Sequence, residues 1–252
     1  MSGVMTLTLS SFEDGYRAII VGASGGIGGA FVRHLAGDPR CGEVIALSRS
    51  GNAPQGQKIT AGTIDLEDPA TIEPAMAAAF EAGPVHLVIV ASGMLHGDGI
   101  SPEKTWRHMD ADAFARIFAV NTTGPALVAK AALDRLPREG KSVIAALSAR
   151  VGSISDNRLG GWHAYRASKA ALNQIIRTCS VELACKRPQG LIVGLHPGTV
   201  ETALSEPFQG NVPDGKLFTP DYSAGRLLMV IDTLTAEQSG RCFDFAGEEV
   251  AP

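Results

Sequence analysis

A glycine-rich turn near the N-terminus limits the possible folds of this chain more than any other feature. Residues 17–21 (Arg-Ala-Ile-Ile-Val) have the length and branching of a buried strand, and residues 30–35 predict an amphipathic helix. Between them lies a run of small residues, Gly22-Ala23-Ser24-Gly25-Gly26-Ile27-Gly28-Gly29. Such a turn lets the backbone approach an anion, which rests on the free N–H groups of the helix N-terminus. The pattern therefore predicts a strand–turn–helix unit with a phosphate site.

The glycines are spaced as Gly22-x3-Gly26-x-Gly28, unlike the Gly-x-Gly-x-x-Gly of the commonest dinucleotide fingerprint. Two interpretations remain open: a turn that binds the pyrophosphate of a dinucleotide, or a glycine-rich connection that binds nothing. Under the first interpretation the binding residues are Gly22, Ser24, Gly25, Gly26, Ile27 and Gly28.

Short apolar runs continue along the chain and alternate with helical stretches. The runs are residues 44–47, 85–90, 142–147 and 191–195. This alternation predicts an α/β fold, a Rossmann-type doubly wound parallel β-sheet flanked by helices. At 252 residues, 45% of them apolar, a single domain over residues 1–252 accounts for the whole chain, and no repeat or Pro/Gly-rich linker divides it.

Charge and hydropathy exclude other classes of protein. A net charge of −4 without a basic cluster argues against a nucleic-acid partner, and the apolar runs are too short to span a bilayer. The N-terminus lacks the pattern of a secretory signal. The cysteines, which show no metal-binding or CxxC spacing, are Cys41, Cys179, Cys185 and Cys242. We therefore expect a cytoplasmic protein with reduced thiols, no metal site and no membrane partner.

Tyr165 and Lys169 lie four residues apart in an alanine-rich stretch, residues 165–172, that predicts a helix. Residues at i and i+4 share a helical face, with about 5–6 Å between their Cβ atoms. A nearby positive charge lowers the pKa of a phenol from about 10, as general acid–base chemistry requires. The pair is either catalytic or a chance spacing on a solvated helix.

Three further segments occur in the order seen in a known family. Residues 87–93 predict a strand ending in Ala91-Ser92-Gly93, Asn121 lies in a predicted helix, and residues 196–202 contain a Pro-Gly pair. Together with the glycine turn and the Tyr-x3-Lys pair, these features resemble the short-chain dehydrogenase/reductase family from about residue 16 to about residue 247. Residues 148–162 are similar to those of carbonyl-reductase-like and C-factor-like members.

The resemblance implies a mechanism. Tyr165 is expected to donate a proton to a substrate carbonyl, with hydride supplied by a nicotinamide cofactor, while Lys169 holds the nicotinamide ribose and lowers the pKa of the phenol. Asn121 is expected to help hold a water near Lys169. The implied cofactor contacts are Asp65, Leu66, Ala91, Ser92, Gly93, Asn121, Tyr165, Lys169, Pro197, Gly198, Val200 and Thr202. Asp65 is alternatively an ordinary turn residue.

A serine at the end of the fifth strand should hydrogen-bond the carbonyl oxygen in this family. Counting back three residues from Gly152 gives Ala149, whereas counting forward along the strand gives Ser148. We predict Ser148, because an inserted loop residue is tolerated more readily than a lost donor. Ser153 is the reserve candidate, and the remaining alternative is that no serine acts and the protein is a poor enzyme.

The end of the second strand bears on which dinucleotide binds. An acidic residue there would accept hydrogen bonds from the ribose 2′-hydroxyl of NAD. This chain has Ser48 followed by Arg49, and a guanidinium suits a 2′-phosphate. We therefore predict NADP(H) over NAD(H), with a solvated Arg49 as the alternative.

A long segment, residues 199–220, is expected to be the loop that covers the substrate. Its apolar side chains, which predict an apolar substrate without a charged anchor, are Phe208, Val212, Leu217 and Phe218. Residues that either border the substrate or belong to a polar loop or the core are His96, Asp98, Trp106, Trp162 and His163.

Two functions follow from these features. The first is an NADPH-dependent enzyme that reduces a small-molecule aldehyde or ketone to an alcohol, or runs the reverse reaction. The second is an NADP-binding regulatory or signalling module with little turnover, which Ala149 and the C-factor-like resemblance favour. The family also implies a homodimer or homotetramer, with residues 241–245 as the final strand in the second contact.

Overall fold

The computed structural model describes residues 7–213 and 215–252. Residues 1–6 of the predicted domain and Asp214 of the predicted substrate loop lie outside these ranges. The strands are β1 (Tyr16–Val21), β2 (Cys41–Ser48), β3 (Ile59–Thr63), β4 (Leu87–Val90), β5 (Ser142–Leu147), β6 (Gly190–His196), β7 (Thr199–Val200), β8 (Leu217–Phe218) and β9 (Cys242–Asp244). The α-helices are α1 (Gly26–Gly37), α2 (Ile72–Glu81), α3 (Ala111–Phe118), α4 (Gly124–Leu133), α5 (His163–Lys186) and α6 (Pro220–Thr233).

Seven strands of the described residues form one parallel sheet in the order β3-β2-β1-β4-β5-β6-β9. The chain runs outward from β1 through β2 to β3, returns to β4 beside β1, and then continues outward on the other side. The order therefore reverses between β1 and β4, and ligands of such sheets bind outside the carboxyl ends of the strands at this reversal. The predicted doubly wound fold is confirmed.

The side chains of the central strands alternate between two cores. Ala18 and Ile20 of β1 pack on the face covered by α1 and α6, while Ile19 and Val21 pack on the face covered by α2, α4 and α5. Because both faces of the sheet are covered, these strands are nearly continuous apolar runs rather than alternating ones. That is why the sequence revealed them.

Two parts of the fold differ from the prediction. The sequence did not locate strand β3, since Ile-Thr-Ala-Gly-Thr is an edge strand with mostly exposed residues and no apolar run. The segment predicted as an irregular loop contains β7 and β8, which pair with each other, and a short 3₁₀ helix at Glu206–Asn211. No helix in the described part of the chain has an apolar stretch long enough to cross a membrane.

Candidate active site

The glycine turn is so tight that two of its residues have no room for a side chain. A Cβ on Gly28 would lie 2.1 Å from the carbonyl oxygen of Gly22. Gly22 has a φ of +90°, and a Cβ there would lie 2.7 Å from Ser92 Oγ at the end of β4. Helix α1, strand β1 and strand β4 therefore meet at this turn because glycine permits the contact.

The N-terminus of α1 presents free donors. Gly29 N donates to Gly25 O at 2.7 Å, and no side chain from the described part of the protein caps the helix. This is the first helical hydrogen bond. The backbone N–H groups of Gly26, Ile27 and Gly28 precede it and donate to no backbone carbonyl of the described residues. Three unpaired N–H groups at a positive helix end, reached through a turn without Cβ atoms, fit a phosphate group.

A cavity of about 360 Å³ extends from this turn across the carboxyl ends of β1, β2 and β4. The predicted cofactor residues that line it are Gly22, Ser24, Gly25, Arg49, Asp65, Leu66, Ala91, Ser92 and Gly93. One carboxylate oxygen of Asp65 accepts a hydrogen bond from Glu67 N at 2.9 Å. Asp65 therefore also has the role of a turn residue, which was the alternative interpretation. Lining residues that the sequence did not indicate include Ser48, Glu67, Met94, Arg116 and Val120.

The segment after β6 borders the same turn. A Cβ on Gly26 would lie 2.9 Å from the methyl carbon of Thr202. Gly198 has a φ of +76°, and a Cβ there would lie 2.8 Å from the ring of Phe218. Thr202 is thus adjacent to the phosphate-binding turn, while Pro197, Gly198 and Val200 are not among the residues lining the cavity.

Tyr165 and Lys169 lie on the first turns of α5 and are both buried. Lys169 Nζ donates to the carbonyl oxygen of Leu147 at 2.7 Å and lies 5.7 Å from the centre of the Tyr165 ring. Burial raises the pKa of Tyr165 to about 12 and lowers the pKa of Lys169 to about 8. The expected lowering of the phenol pKa by Lys169 is therefore not seen, because loss of solvation dominates.

Asn121 lies in a π-helical turn, Ala119–Thr123, between α3 and α4. Its carboxamide accepts from Met94 N at 2.8 Å and donates to Met94 O at 2.8 Å and to Ser168 Oγ at 3.1 Å. Both N–H groups of the amide are thereby used. A Cβ on Gly93 would lie 3.8 Å from Asn121 Oδ1 and 3.8 Å from Lys169 Nζ, so the two side chains converge beside the cavity. The contact of Asn121 with a water stays a prediction.

Ser148 has a hydrogen-bond partner within the protein, and its predicted contact with the substrate carbonyl stays a prediction. Its hydroxyl donates to Asn173 Oδ1 at 2.7 Å, whereas Ala149 packs in one apolar cluster with Leu95 and Tyr165. Ala149 has extended backbone angles, and successive residues of extended chain point in opposite directions. The position that faces Tyr165 is therefore the one counted back from Gly152, and it holds a methyl group.

The reserve candidate, Ser153, is also turned away from this cluster. Its hydroxyl contacts Ser155 Oγ at 3.4 Å and Pro252 O at 3.2 Å, and accepts from Asp156 N at 3.1 Å. Neither predicted serine thus lies against Tyr165.

Apolar and aromatic side chains surround the Tyr165 ring. Trp162 stands edge-on to Tyr165, with ring centres 6.2 Å apart, and packs on Phe208 of the predicted loop at 5.1 Å. The His96 ring lies 5.7 Å from Phe208, and its Nε2 contacts Leu204 O at 3.0 Å. Trp162 has a φ of +53°, a conformation that costs energy for a bulky residue and that recurs at functional sites.

Several residues that were candidates for the substrate pocket lie outside the Tyr165 cluster. Trp106 is 71% exposed, and Phe218 packs with Phe245 at 4.6 Å outside the Tyr165 cluster. His163 begins α5, and its Nδ1 is buried without a partner among the described residues. The sequence also missed Glu103, a buried residue whose carboxylate accepts from Ala164 N at 3.2 Å and so caps α5.

The family model for short chain dehydrogenase matches residues 16–212. The chain belongs to the short-chain dehydrogenase family. It is accordingly an oxidoreductase of the type that uses a nicotinamide cofactor and acts on small molecules.

The chain is similar to several individual proteins. The C-signal protein of Myxococcus xanthus is 42% identical over 143 residues, covering 56% of this chain and 80% of that protein. The 1-hydroxy-2-glutathionyl-2-methyl-3-butene dehydrogenase of Rhodococcus sp. (strain AD45) is 30% identical over 226 residues, covering 88% of this chain and 93% of that protein. The NADPH-bound carbonyl reductase from chicken fatty liver superposes with a TM-score of 0.81 at 27% identity, covering 96% of this chain and 97% of that one.

Proposed function

We propose that this short-chain dehydrogenase reduces an apolar aldehyde or ketone to an alcohol with NADPH, with Tyr165 as the proton donor. The observation that carries the proposal is the placement of Tyr165 and Lys169. Both are buried, and Lys169 lies beside Gly93, which lines the predicted dinucleotide cavity. A bound nicotinamide supplies the hydride for the carbonyl carbon.

The remaining chemistry belongs to the residues of the chain. The phenol of Tyr165 donates its proton to the carbonyl oxygen as negative charge develops there, and solvent returns the proton afterwards. Since burial holds the pKa of Tyr165 at about 12, the phenol is fully protonated near neutral pH. This protonation state suits the direction of reduction, in which the tyrosine must give a proton.

Lys169 supplies a fixed positive charge in this proposal. Its ammonium donates to the Leu147 carbonyl, which fixes it near the ring of Tyr165. A positive charge there stabilises the phenolate left behind when the proton has gone. With a pKa of about 8, Lys169 carries that charge at neutral pH.

The surroundings of Tyr165 support an apolar substrate. The side chains of the cluster are Leu95, Ala149, Val151, Trp162, Tyr165, Leu204 and Phe208, none of them charged. Burying an apolar group against them contributes about 25 cal/mol per Å².

One observation, the alanine at position 149, favours a second function. With a methyl group facing Tyr165, the site lacks the second hydrogen-bond donor to the carbonyl oxygen, and a slow enzyme can serve as a dinucleotide-binding signalling module. The 42% identity with the C-signal protein supports this alternative. The two functions differ in whether the phenol is needed.

The transfer of deuterium distinguishes them. The protein is incubated with NADPH that carries deuterium at the reactive carbon and with a panel of aldehydes and ketones, and the alcohols formed are analysed by mass spectrometry. A reductase gives an alcohol with one deuterium on the former carbonyl carbon. NADPH binding without any labelled alcohol would refute the reductase and leave the binding module.

A further inference from the structure

Four charged side chains form a network at the end of the cavity that is lined by β2, the segment after β3, and α3. Arg116 Nε contacts Glu67 Oε1 at 2.5 Å, and Arg116 Nη2 contacts Asp98 Oδ2 at 2.7 Å. Arg49 Nη1 contacts Glu67 Oε2 at 3.4 Å. All four residues line the cavity. Two guanidinium groups therefore share one carboxylate, Glu67.

The two arginines are held very differently. Arg116 has short contacts to two carboxylates, which raise its pKa further above its already high value. Arg49 has one long contact, and 69% of its side chain is exposed. Thus Arg116 neutralises Glu67, and Arg49 keeps most of its hydrogen-bonding capacity.

We infer that Arg116 determines cofactor specificity by engaging Glu67, so that Arg49 is free to bind the 2′-phosphate of NADP(H). The inference rests on the proposed preference for NADP(H). Arg116 is a positioning residue in this scheme: it acts on the phosphate through Glu67 and Arg49. No local sequence pattern indicates this role, because Arg116 and Glu67 are 49 positions apart.

The physical reason lies in the charge of Glu67. Without Arg116, Arg49 is the cation nearest Glu67 among the contacts that the structure describes, so the carboxylate draws it away from the nucleotide. The bare carboxylate also repels a 2′-phosphate across the cavity, an effect that solvent weakens but does not remove. A 2′-hydroxyl carries no charge and can donate to a carboxylate, so NAD(H) should not be penalised.

The test is equilibrium binding of NADP⁺ and NAD⁺, measured by isothermal titration calorimetry on four proteins. These are the wild type, Arg116→Met, Glu67→Gln and the double variant. For Arg116→Met we expect NADP⁺ to bind about five- to tenfold more weakly, with NAD⁺ within about twofold of wild type. Glu67→Gln should leave NADP⁺ binding equal or tighter. The double variant should recover most of the wild-type preference, since the carboxylate that it leaves without Arg116 is the exposed Asp98.

A matched control removes an ion pair of the same kind elsewhere. Arg135 contacts Glu73 at 2.6 Å, and neither residue lines the cavity, so Arg135→Met should change neither affinity. An equal loss of NADP⁺ and NAD⁺ affinity in Arg116→Met would overturn the inference, as would an unchanged NADP⁺ affinity. If Arg116→Met does not fold, a weaker NADP⁺ affinity in Glu67→Gln overturns it instead.

The same titration separates this inference from the proposed function. A wild-type protein that binds NAD⁺ more tightly than NADP⁺ contradicts the cofactor preference, and with it the role of Arg116. A wild-type protein that prefers NADP⁺, together with variants that change both affinities alike, refutes Arg116 alone.

Discussion

Replacing Ala149 with serine should make this protein a faster enzyme. Ala149 is 9% exposed and packs with Leu95 and Tyr165, so a hydroxyl at this position lies in apolar surroundings next to the proton donor. It would offer the carbonyl oxygen a second hydrogen bond as charge develops. Most substitutions in a buried site lower activity, which makes an increase a demanding prediction.

The size of the effect follows from the environment. Removing one donor to a developing oxyanion costs about 10²–10³ in kcat. A single added hydroxyl, with its surroundings unadjusted, should recover about 10- to 100-fold in kcat/KM, which is about 1.4–2.7 kcal/mol of transition-state stabilisation. Without substrate the same hydroxyl is buried among apolar groups, which costs about 1–3 kcal/mol of stability. Ala149→Ser should therefore be faster and melt a few degrees lower.

The assay is steady-state NADPH consumption with a carbonyl substrate, together with thermal unfolding of the same samples. Ser148→Ala is the matched control: it leaves Asn173 Oδ1 without its donor and should lower stability by about 1 kcal/mol with kcat within about twofold. An unchanged or lower kcat/KM in Ala149→Ser would refute the reasoning. So would a large loss of kcat in Ser148→Ala, since the catalytic hydroxyl would then belong to Ser148.

Three further predictions concern the turn, the lysine and the pocket wall. Gly28→Ala places a Cβ 2.1 Å from Gly22 O and should weaken dinucleotide binding at least about tenfold by calorimetry, whereas Gly37→Ala, with open space around its Cβ, should not. Because burial lowers the pKa of Lys169 to about 8, the folded protein releases a proton that the unfolded chain keeps up to about pH 10. The free energy of unfolding should thus rise with pH from about 8 to 10 relative to Lys169→Met, by at most about 1.4 kcal/mol per pH unit, and equal slopes in denaturant titrations would contradict this. Trp162→Ala should raise KM for apolar carbonyls more than it lowers kcat, since the indole packs on both Tyr165 and Phe208; a loss confined to kcat would contradict a role in the pocket wall.

Sequence patterns predicted those parts of the fold that are determined by residues close together in the sequence. In the tight turn, Gly28 lies against the carbonyl of Gly22, six positions earlier, and the buried strands depend on unbroken apolar runs. The edge strand Ile59–Thr63 was missed, because its backbone pairs with β2 while its side chains stay largely exposed. Its position is set by its neighbour rather than by its own composition.

The site shows the same division. Tyr165 and Lys169 were found because their spacing on one helix places both near the end of β5. The prediction for Ser148 weighed the presence of a hydroxyl and could not include its direction, which the extended backbone at residue 149 decides. Its catalytic role stays a prediction. The network of Arg49, Glu67 and Arg116 joins three separate segments, so no single stretch of sequence reveals it.

The cytoplasmic location and the oligomeric state stay predictions, as does the preference for NADP(H). Oligomer size is checked by analytical ultracentrifugation at several protein concentrations, where a dimer or tetramer is expected and a monomer throughout would contradict the prediction.

NADPH consumption by the wild type and by Tyr165→Phe, with a panel of apolar aldehydes and ketones, tests the central claim most directly. The variant removes only the phenolic oxygen, so the ring packing against Trp162 is kept and NADPH should bind as before. We predict turnover of at least one carbonyl compound by the wild type and a loss of turnover of at least about 10²-fold in the variant. Equal turnover by the two proteins, with NADPH bound equally well, would show that Tyr165 is not the proton donor.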